Sequence, residues 1–201
     1  MKDINLPTTQ SVSLTLGPQE MRNLSEHLNS RRSSFDLGEL LNASITAEMD
    51  QAKLNGGKVL YSASSIESKI EGLLLKYFMG GEQLPSERRE IFQQHILNSS
   101  DFSFSQKRNL AMIVVGECNL LEGKSKNRFQ SLLKKIGQYR NAFAHGQVKH
   151  DTKRKCFLEY YSGGPESRNL SDQFWEELEA DFTECDILAQ QAVLKLETLY
   201  G

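Results

Sequence analysis

The chain has 201 residues, of which 38% are hydrophobic and 25% are charged, and its formal net charge is −2. A chain of this length buries about 70% of its unfolded surface as one domain, so it folds without disulfides or a structural metal. No apolar run approaches the roughly 18 residues that suggest a membrane helix. The start, Met1-Lys2, has no basic segment followed by an apolar core, so we expect no signal peptide and no membrane association.

The number and spacing of the cysteines indicate the cellular compartment and whether a metal is bound. Cys118, Cys156 and Cys185 are an odd number without CxxC or Cys/His spacing. This pattern predicts a reducing cytoplasm and argues against a structural metal. No zinc, Walker-type or dinucleotide motif is present either, so we expect no cofactor.

Charges are distributed unevenly over the second half of the chain. Residues 124–155 contain ten basic side chains and one acid, whereas the chain from Glu159 onward contains ten acids and two basic residues. A basic segment of this kind is typical of a nucleic-acid surface. Alternatively, the basic and acidic segments pack against each other, and the sequence leaves both interpretations open.

We predict that residues 1–57 form an N-terminal extension with one or two helices, after a possible short strand at 12–16. Pro18 can open a helix that ends near Asn29. Asp36 can cap a second helix that ends near Leu54. Asn55-Gly56-Gly57 is typical of a helix end, so we place the domain boundary there and assign 58–201 to a helical domain.

Helical spacing dominates the first half of that domain. Apolar residues at i, i+4 and i+7 predict a core helix over 58–79. Pro85 predicts the start of a helix that ends near Leu97, with Ile91, Phe92 and Ile96 facing inward. Ser105 is the predicted cap of a further helix that ends near Leu121.

The next predicted helix, 125–144, places a charge on its apolar side. Steps of four, three, four and three residues join the members of one stripe, which are Phe129, Leu133, Ile136, Arg140 and Phe143. Because an unpaired buried charge is costly, Arg140 must be paired or must face a cleft or a partner. Glu67 and Glu71 either form a solvated face or pair with basic residues of neighbouring helices, one of them reaching Arg140.

The period changes to alternation after Gly146. Gln147 to Lys149 can pair with a strand around 156–161, and Ser171 can cap a last helix reaching Tyr200. The predicted fold is therefore mainly all-α, a bundle of five or six helices with a small β-hairpin before the last helix.

A helix that ends in Arg140-Asn141-x-x-x-His145 resembles the signature of the HEPN superfamily (higher eukaryote and prokaryote nucleotide-binding). That signature is an arginine, usually followed by a polar residue, and a histidine after four to six intervening positions. The order of helices, the hairpin and the closing helix are similar to the branch related to the mannitol operon repressor. The resemblance covers about residues 58–200.

This resemblance implies a homodimeric, metal-independent endoribonuclease that leaves a 2′,3′-cyclic phosphate and a 5′-hydroxyl, plausible as a toxin or phage-defence effector. His145 would transfer a proton, Arg140 would bind the phosphate, and Asn141 would orient either group. The basic segment supplies the predicted RNA-binding residues, which are Lys134, Lys149, His150, Lys153 and Arg154.

Two other functions remain open. The chain resembles the mannitol repressor branch, and this implies that it can be a non-catalytic scaffold acting on a protein partner such as an antitoxin or a regulator. A DNA-binding repressor is the weaker alternative, because no helix-turn-helix with a basic recognition helix stands out.

Overall fold

The computed structural model describes Asp3, Ile4, Leu6 and residues 37–80, 86–151 and 154–200. The predicted strand at 12–16, the helix over 18–29, the Asp36 cap and Lys153 lie outside these residues. The described elements, in chain order, are α1 (Leu37–Met79), α2 (Ser86–Phe92), a π-helical turn (Gln93–Leu97), α3 (Phe104–Glu117), α4 (Gly123–His145), β1 (Gln147–Asp151), β2 (Lys155–Tyr161), β3 (Pro165–Asn169) and α5 (Asp172–Tyr200).

The mainly helical fold is confirmed, since 75% of the described residues are helical. Helices α1, α3, α4 and α5 pack around one core, whose largest fully buried side chains include Trp175, Phe129 and Phe182. No described helix is long and apolar enough to cross a membrane.

Helix α1 runs without interruption through the predicted helix end at Asn55-Gly56-Gly57, so that prediction is wrong. A Cβ placed on Gly56 would lie 2.9 Å from Cδ1 of Phe143, whereas one on Gly57 would meet nothing within 4 Å. Glycine weakens a helix by up to about 1 kcal/mol, yet here it lets α4 approach the backbone of α1. The predicted domain boundary therefore falls within one helix of 43 residues.

Part of the N-terminal segment packs against the helical domain. Ile4 and Leu6 are buried in the main core. The Lys58 ammonium binds Asp3 at 2.5 Å and the Ile4 carbonyl at 3.0 Å. Residues on both sides of the predicted boundary thus share one core.

The stripe predicted for α4 is largely confirmed. Phe129, Leu133 and Ile136 are buried, and Phe143 packs at the margin of the core. Arg140 keeps 40% of its side chain exposed, so it lies at the edge of the buried face. This position lets the guanidinium reach solvent while its stem covers apolar surface.

Two predicted helix details are wrong. Helix α3 is capped by Ser103 rather than Ser105, in a capping box in which the backbone N–H of Ser103 donates to the Gln106 side chain at 2.7 Å. Ile91 and Ile96 are 60% and 46% exposed, whereas Leu97 is buried. The π-helical turn explains the position of Ile96, because its wider turn rotates side chains away from an α-helical stripe. Ile91 lies in α2 before that turn, and its neighbour Phe92 packs against the core as predicted.

The β-structure is a three-stranded antiparallel sheet in the order β1-β2-β3. The predicted hairpin is confirmed, with Lys149 opposite Phe157. A third strand, β3, extends it and pairs Arg168 with Leu158. All five residues of β3 are exposed, so the strand has no apolar alternation by which the sequence could reveal it.

Helix α5 begins at the predicted Ser171 cap. The hydroxyl of Ser171 accepts a hydrogen bond from the backbone N–H of Phe174 at 3.2 Å, as expected for an N-cap. The sheet therefore lies between α4 and α5 in the chain and packs against the C-terminal part of α4.

Candidate functional site

The C-terminal end of α4 is fixed against the sheet by Gly146. A Cβ on this residue would lie 2.3 Å from the Ala142 carbonyl oxygen and 2.8 Å from that of Glu159. Only glycine permits so close an approach of two backbones. Helix α4 stays intact up to His145, so the imidazole is held at the junction of helix and sheet.

His145 and Asn141 line an open cleft of about 450 Å³. Gln138 and Ala142 complete the wall formed by α4. The opposite wall comes from the end of β2, the turn after it, and β3, through Tyr160, Tyr161, Ser162, Glu166 and Arg168. His145 is exposed, and its imidazole forms no hydrogen bond or ion pair with any residue that the structure describes.

A second cavity, of about 470 Å³, adjoins the first on the side of β1. Both cavities are lined by the same four side chains, which are His145, Tyr160, Tyr161 and Glu166. His145 therefore borders both cavities.

Arg140 lines a different cavity, of about 280 Å³, beside the start of α3. Lys134 and Arg108 lie in the same cavity, and Gln138 and Asn141 border both this cavity and the His145 cleft. Arg140 and His145 are five residues apart on an intact helix, or about 140° around its axis. A single chain therefore brings Asn141 to both predicted partners, but it does not bring Arg140 and His145 into one cleft.

Arg140 belongs to a charge network behind the cleft. Its Nη2 lies 3.9 Å from Glu67 Oε2, and the Lys107 ammonium binds Glu67 at 2.6 Å and Glu71 at 2.5 Å. Lys107 is only 5% exposed. Burial lowers the pKa of Lys107, but the hydrogen bonds to Glu67 and Glu71 outweigh it, so the pKa is raised overall. Of the alternatives for the two glutamates, pairing with neighbouring helices is the one observed.

Two of the predicted RNA-binding residues on β1 have acidic neighbours. Lys149 forms an ion pair with Glu159 at 2.5 Å, across the β1–β2 pair. His150 Nε2 lies 3.9 Å from Glu48 of α1, and its side chain is 14% exposed. His150 thus faces the helix rather than open solvent.

The remaining predicted RNA-binding residues differ from one another. Arg154 binds Asp151 at 2.8 Å, and its guanidinium lies 4.1 Å from the ring centroid of Phe157. Lys134 is exposed and has no acidic partner among the described residues. Lys153 is not among the residues that the structure describes.

Other basic residues of α4 pair with acids of α5. Lys135 and Arg128 approach the buried Asp181 at 2.5 and 3.5 Å, and the Tyr139 hydroxyl donates to it at 3.1 Å. Burial and the Asp181 charge raise the pKa of Tyr139. The basic and acidic segments therefore do pack together on this face of α4, while Lys134 and Arg140 point to a different one.

Arg168 is the cleft residue that the sequence did not reveal. Its guanidinium lies 5.7 Å from the ring centroid of Tyr139 and 5.8 Å from that of Phe174. Cation–π contacts of this kind position the side chain without neutralising it. Its exposed, polar strand carries no pattern that could have placed it opposite His145.

The three thiols differ in accessibility. Cys156 and Cys185 are buried, whereas Cys118 is half-buried. Burial raises the pKa of both buried thiols, most strongly that of Cys185. Among the described residues, no three His, Cys, Asp or Glu side chains are placed to hold a metal ion.

No family model, curated protein or solved structure matches this chain.

Proposed function

We propose that this chain is a metal-independent endoribonuclease of the HEPN type. The observation that carries the proposal is the cleft at the end of α4, which an exposed, unengaged His145 lines together with Asn141 and the cationic Arg168. Imidazole is the side chain best suited to proton transfer near neutral pH. An adjacent cation and amide can bind a phosphate.

The proposed reaction is a transesterification within the RNA backbone. The 2′-oxygen attacks the neighbouring phosphorus and loses its proton, the bond from phosphorus to the 5′-oxygen breaks, and that oxygen gains a proton. The products are a 2′,3′-cyclic phosphate and a 5′-hydroxyl. His145 would serve one of the two proton transfers, and Asn141 would orient the phosphate.

A homodimer would complete the site. Arg140 and His145 lie on different sides of α4, so one copy cannot direct both at one phosphate. In a two-fold dimer whose interface is centred on α4, each α4 would meet its own copy, because such an interface is isologous. Arg140 of one copy could then face the His145 cleft of the other and stabilise charge on the phosphate.

The second candidate is a non-catalytic scaffold that contacts a regulatory protein or an antitoxin. It is favoured by the ion pairs that engage Arg140 with Glu67, Lys149 with Glu159 and Arg154 with Asp151. Side chains already paired within the chain offer less charge to RNA. For either function we propose the cytoplasm as the compartment, since all three cysteines are free.

Incubation with mixed-sequence RNA in EDTA separates the two candidates. The nuclease proposal expects wild-type cleavage that persists in EDTA, declines with added salt, and is lost in His145→Ala. The matched control is His95→Ala, because His95 is also an exposed histidine but lies on the π-helical turn. Intact RNA with the wild-type protein, at any salt concentration, would favour the scaffold.

A further inference from the structure

Tyr161 at the end of β2 is unusually exposed for a large aromatic residue. The residue is 75% exposed, the highest value among the exposed large hydrophobic residues that the structure describes. Aromatic rings contribute most when they are buried against a partner, so a ring left open on a concave surface is suited to receive one. It borders both cavities beside His145.

The backbone around Tyr161 holds it in place. Tyr161 pairs with Pro165, and the Ser162 N–H donates to the Gly164 carbonyl at 2.9 Å. Gly163, at φ +74°, provides the left-handed residue that this tight turn requires. The ring is therefore presented by a closed turn between two paired strands.

The two cavities provide room on both sides of this ring. Their volumes, about 450 and 470 Å³, fall in the range of sites for small molecules. Polar groups accompany the ring on both sides, since Glu166 lines both cavities, Ser162 the first and Gln147 the second. A ring flanked by hydrogen-bonding groups matches a nucleobase better than it matches a purely apolar ligand.

We propose that Tyr161 stacks against an unpaired RNA base next to His145. This inference rests on the proposed nuclease function. An RNA strand would cross the His145 junction with a base against Tyr161 and a phosphate near Arg168. Bases in a duplex are already stacked and paired, so their faces cannot reach the tyrosine, whereas bases of loops and single strands can.

Binding to His145→Ala protein tests this inference without cleavage of the probe. The probe is a short single-stranded RNA that carries 2-aminopurine, whose fluorescence is quenched by stacking. We expect quenching on binding, and about 5- to 150-fold weaker binding with loss of the quenching in Tyr161→Ala. Tyr161→Phe keeps the ring and should keep both signals. Tyr61→Ala, a partly exposed tyrosine of α1, is the control.

The outcomes separate this inference from the proposed function. If the probe binds and wild-type protein cleaves RNA, but Tyr161→Ala changes neither affinity nor quenching, the stacking role is wrong and the nuclease proposal stands. Equal affinity for a duplex of the same sequence would also contradict stacking on Tyr161, because paired bases cannot reach the ring. If the protein binds no RNA at all, both proposals fail. If Tyr161→Ala and Tyr161→Phe both lose RNA affinity and quenching, stacking is contradicted, because phenylalanine retains the ring.

Discussion

Lys107→Met should destabilise the protein, because it leaves two carboxylates of α1 without their cation. The ammonium of Lys107 bridges Glu67 and Glu71, whose side chains are only 15% and 19% exposed. Methionine has a similar volume, so the change removes the charge with little loss of packing.

The expected loss is about 3 kcal/mol. Removing one partner of a buried ion pair costs roughly 3–5 kcal/mol. We take the lower end because the carboxylates retain some solvent and Arg140 stays 3.9 Å from Glu67. In a chain of this size 3 kcal/mol corresponds to a drop in Tm of about 6–12 °C.

The pH dependence of this effect follows from the raised pKa of Lys107. A group whose folded pKa exceeds its unfolded value stabilises the fold fully below the unfolded pKa, which is 10.5 for this side chain. That contribution is lost as the pH rises through the folded pKa. The difference in stability between wild type and Lys107→Met should therefore be constant from pH 7 to 9 and should shrink above about pH 10.5.

Urea denaturation followed by circular dichroism measures the loss. The triple variant Lys107→Met/Glu67→Gln/Glu71→Gln should recover much of the stability, because it removes the stranded charges as well. The matched control is Lys53→Met. Lys53 forms an ion pair with Asp50, and the two side chains are 60% and 63% exposed, so this pair should contribute at most about 1 kcal/mol. A loss below 1 kcal/mol in Lys107→Met, or no recovery in the triple variant, would refute the reasoning.

Three further predictions concern packing, thiol reactivity and base recognition. Gly56→Ala should lower stability by about 1–3 kcal/mol through overpacking against a ring of α4, whereas Gly57→Ala, which meets nothing, should raise it by up to about 1 kcal/mol in the same urea titration. In native protein at pH 8 an aromatic disulfide reagent should modify Cys118 well before the two buried cysteines, and all three should react in denaturant; rapid native reaction of Cys185 would contradict its burial. Tyr161→Ala should weaken single-stranded RNA binding about 5- to 150-fold, and Tyr161→Phe should not, as measured by 2-aminopurine fluorescence.

Helical periodicity was the most informative feature of the sequence. The spacing of Phe129, Leu133 and Ile136 predicted which side of α4 is buried, and the Ser171 cap predicted the start of α5. These features depend on neighbours within one or two turns. The helix end predicted from Gly56 and Gly57 was wrong for the same reason. Glycine is found both at helix ends and at close contacts between helices, and only the tertiary neighbour distinguishes the two cases.

The composition of the candidate site was predictable only in part. The sequence placed Asn141 and His145 at a helix end, and the structure places both in one cleft. The opposite wall comes from Arg168 on a strand with no apolar alternation, and from Tyr161, which the alternation identified only as part of a strand. Residues joined through strand pairing cannot be found from local spacing.

The distribution of charge has two explanations that the sequence could not separate. Lys135 pairs with Asp181 of α5, as complementary packing requires, whereas Lys134, one residue earlier, faces solvent beside Arg140. Adjacent helical positions differ by about 100° around the axis, so one basic run can serve both a packed face and an open one.

We propose that His145 carries out metal-independent cleavage of RNA. Single-turnover cleavage of a 5′-labelled RNA in EDTA, with analysis of the product ends, tests it most directly. We expect 2′,3′-cyclic phosphate ends with wild-type protein and a rate about 10² to 10⁴ lower in His145→Ala, whose stability should match that of wild type. Cleavage that His145→Ala retains in full, or wild-type protein that leaves RNA intact, would contradict it.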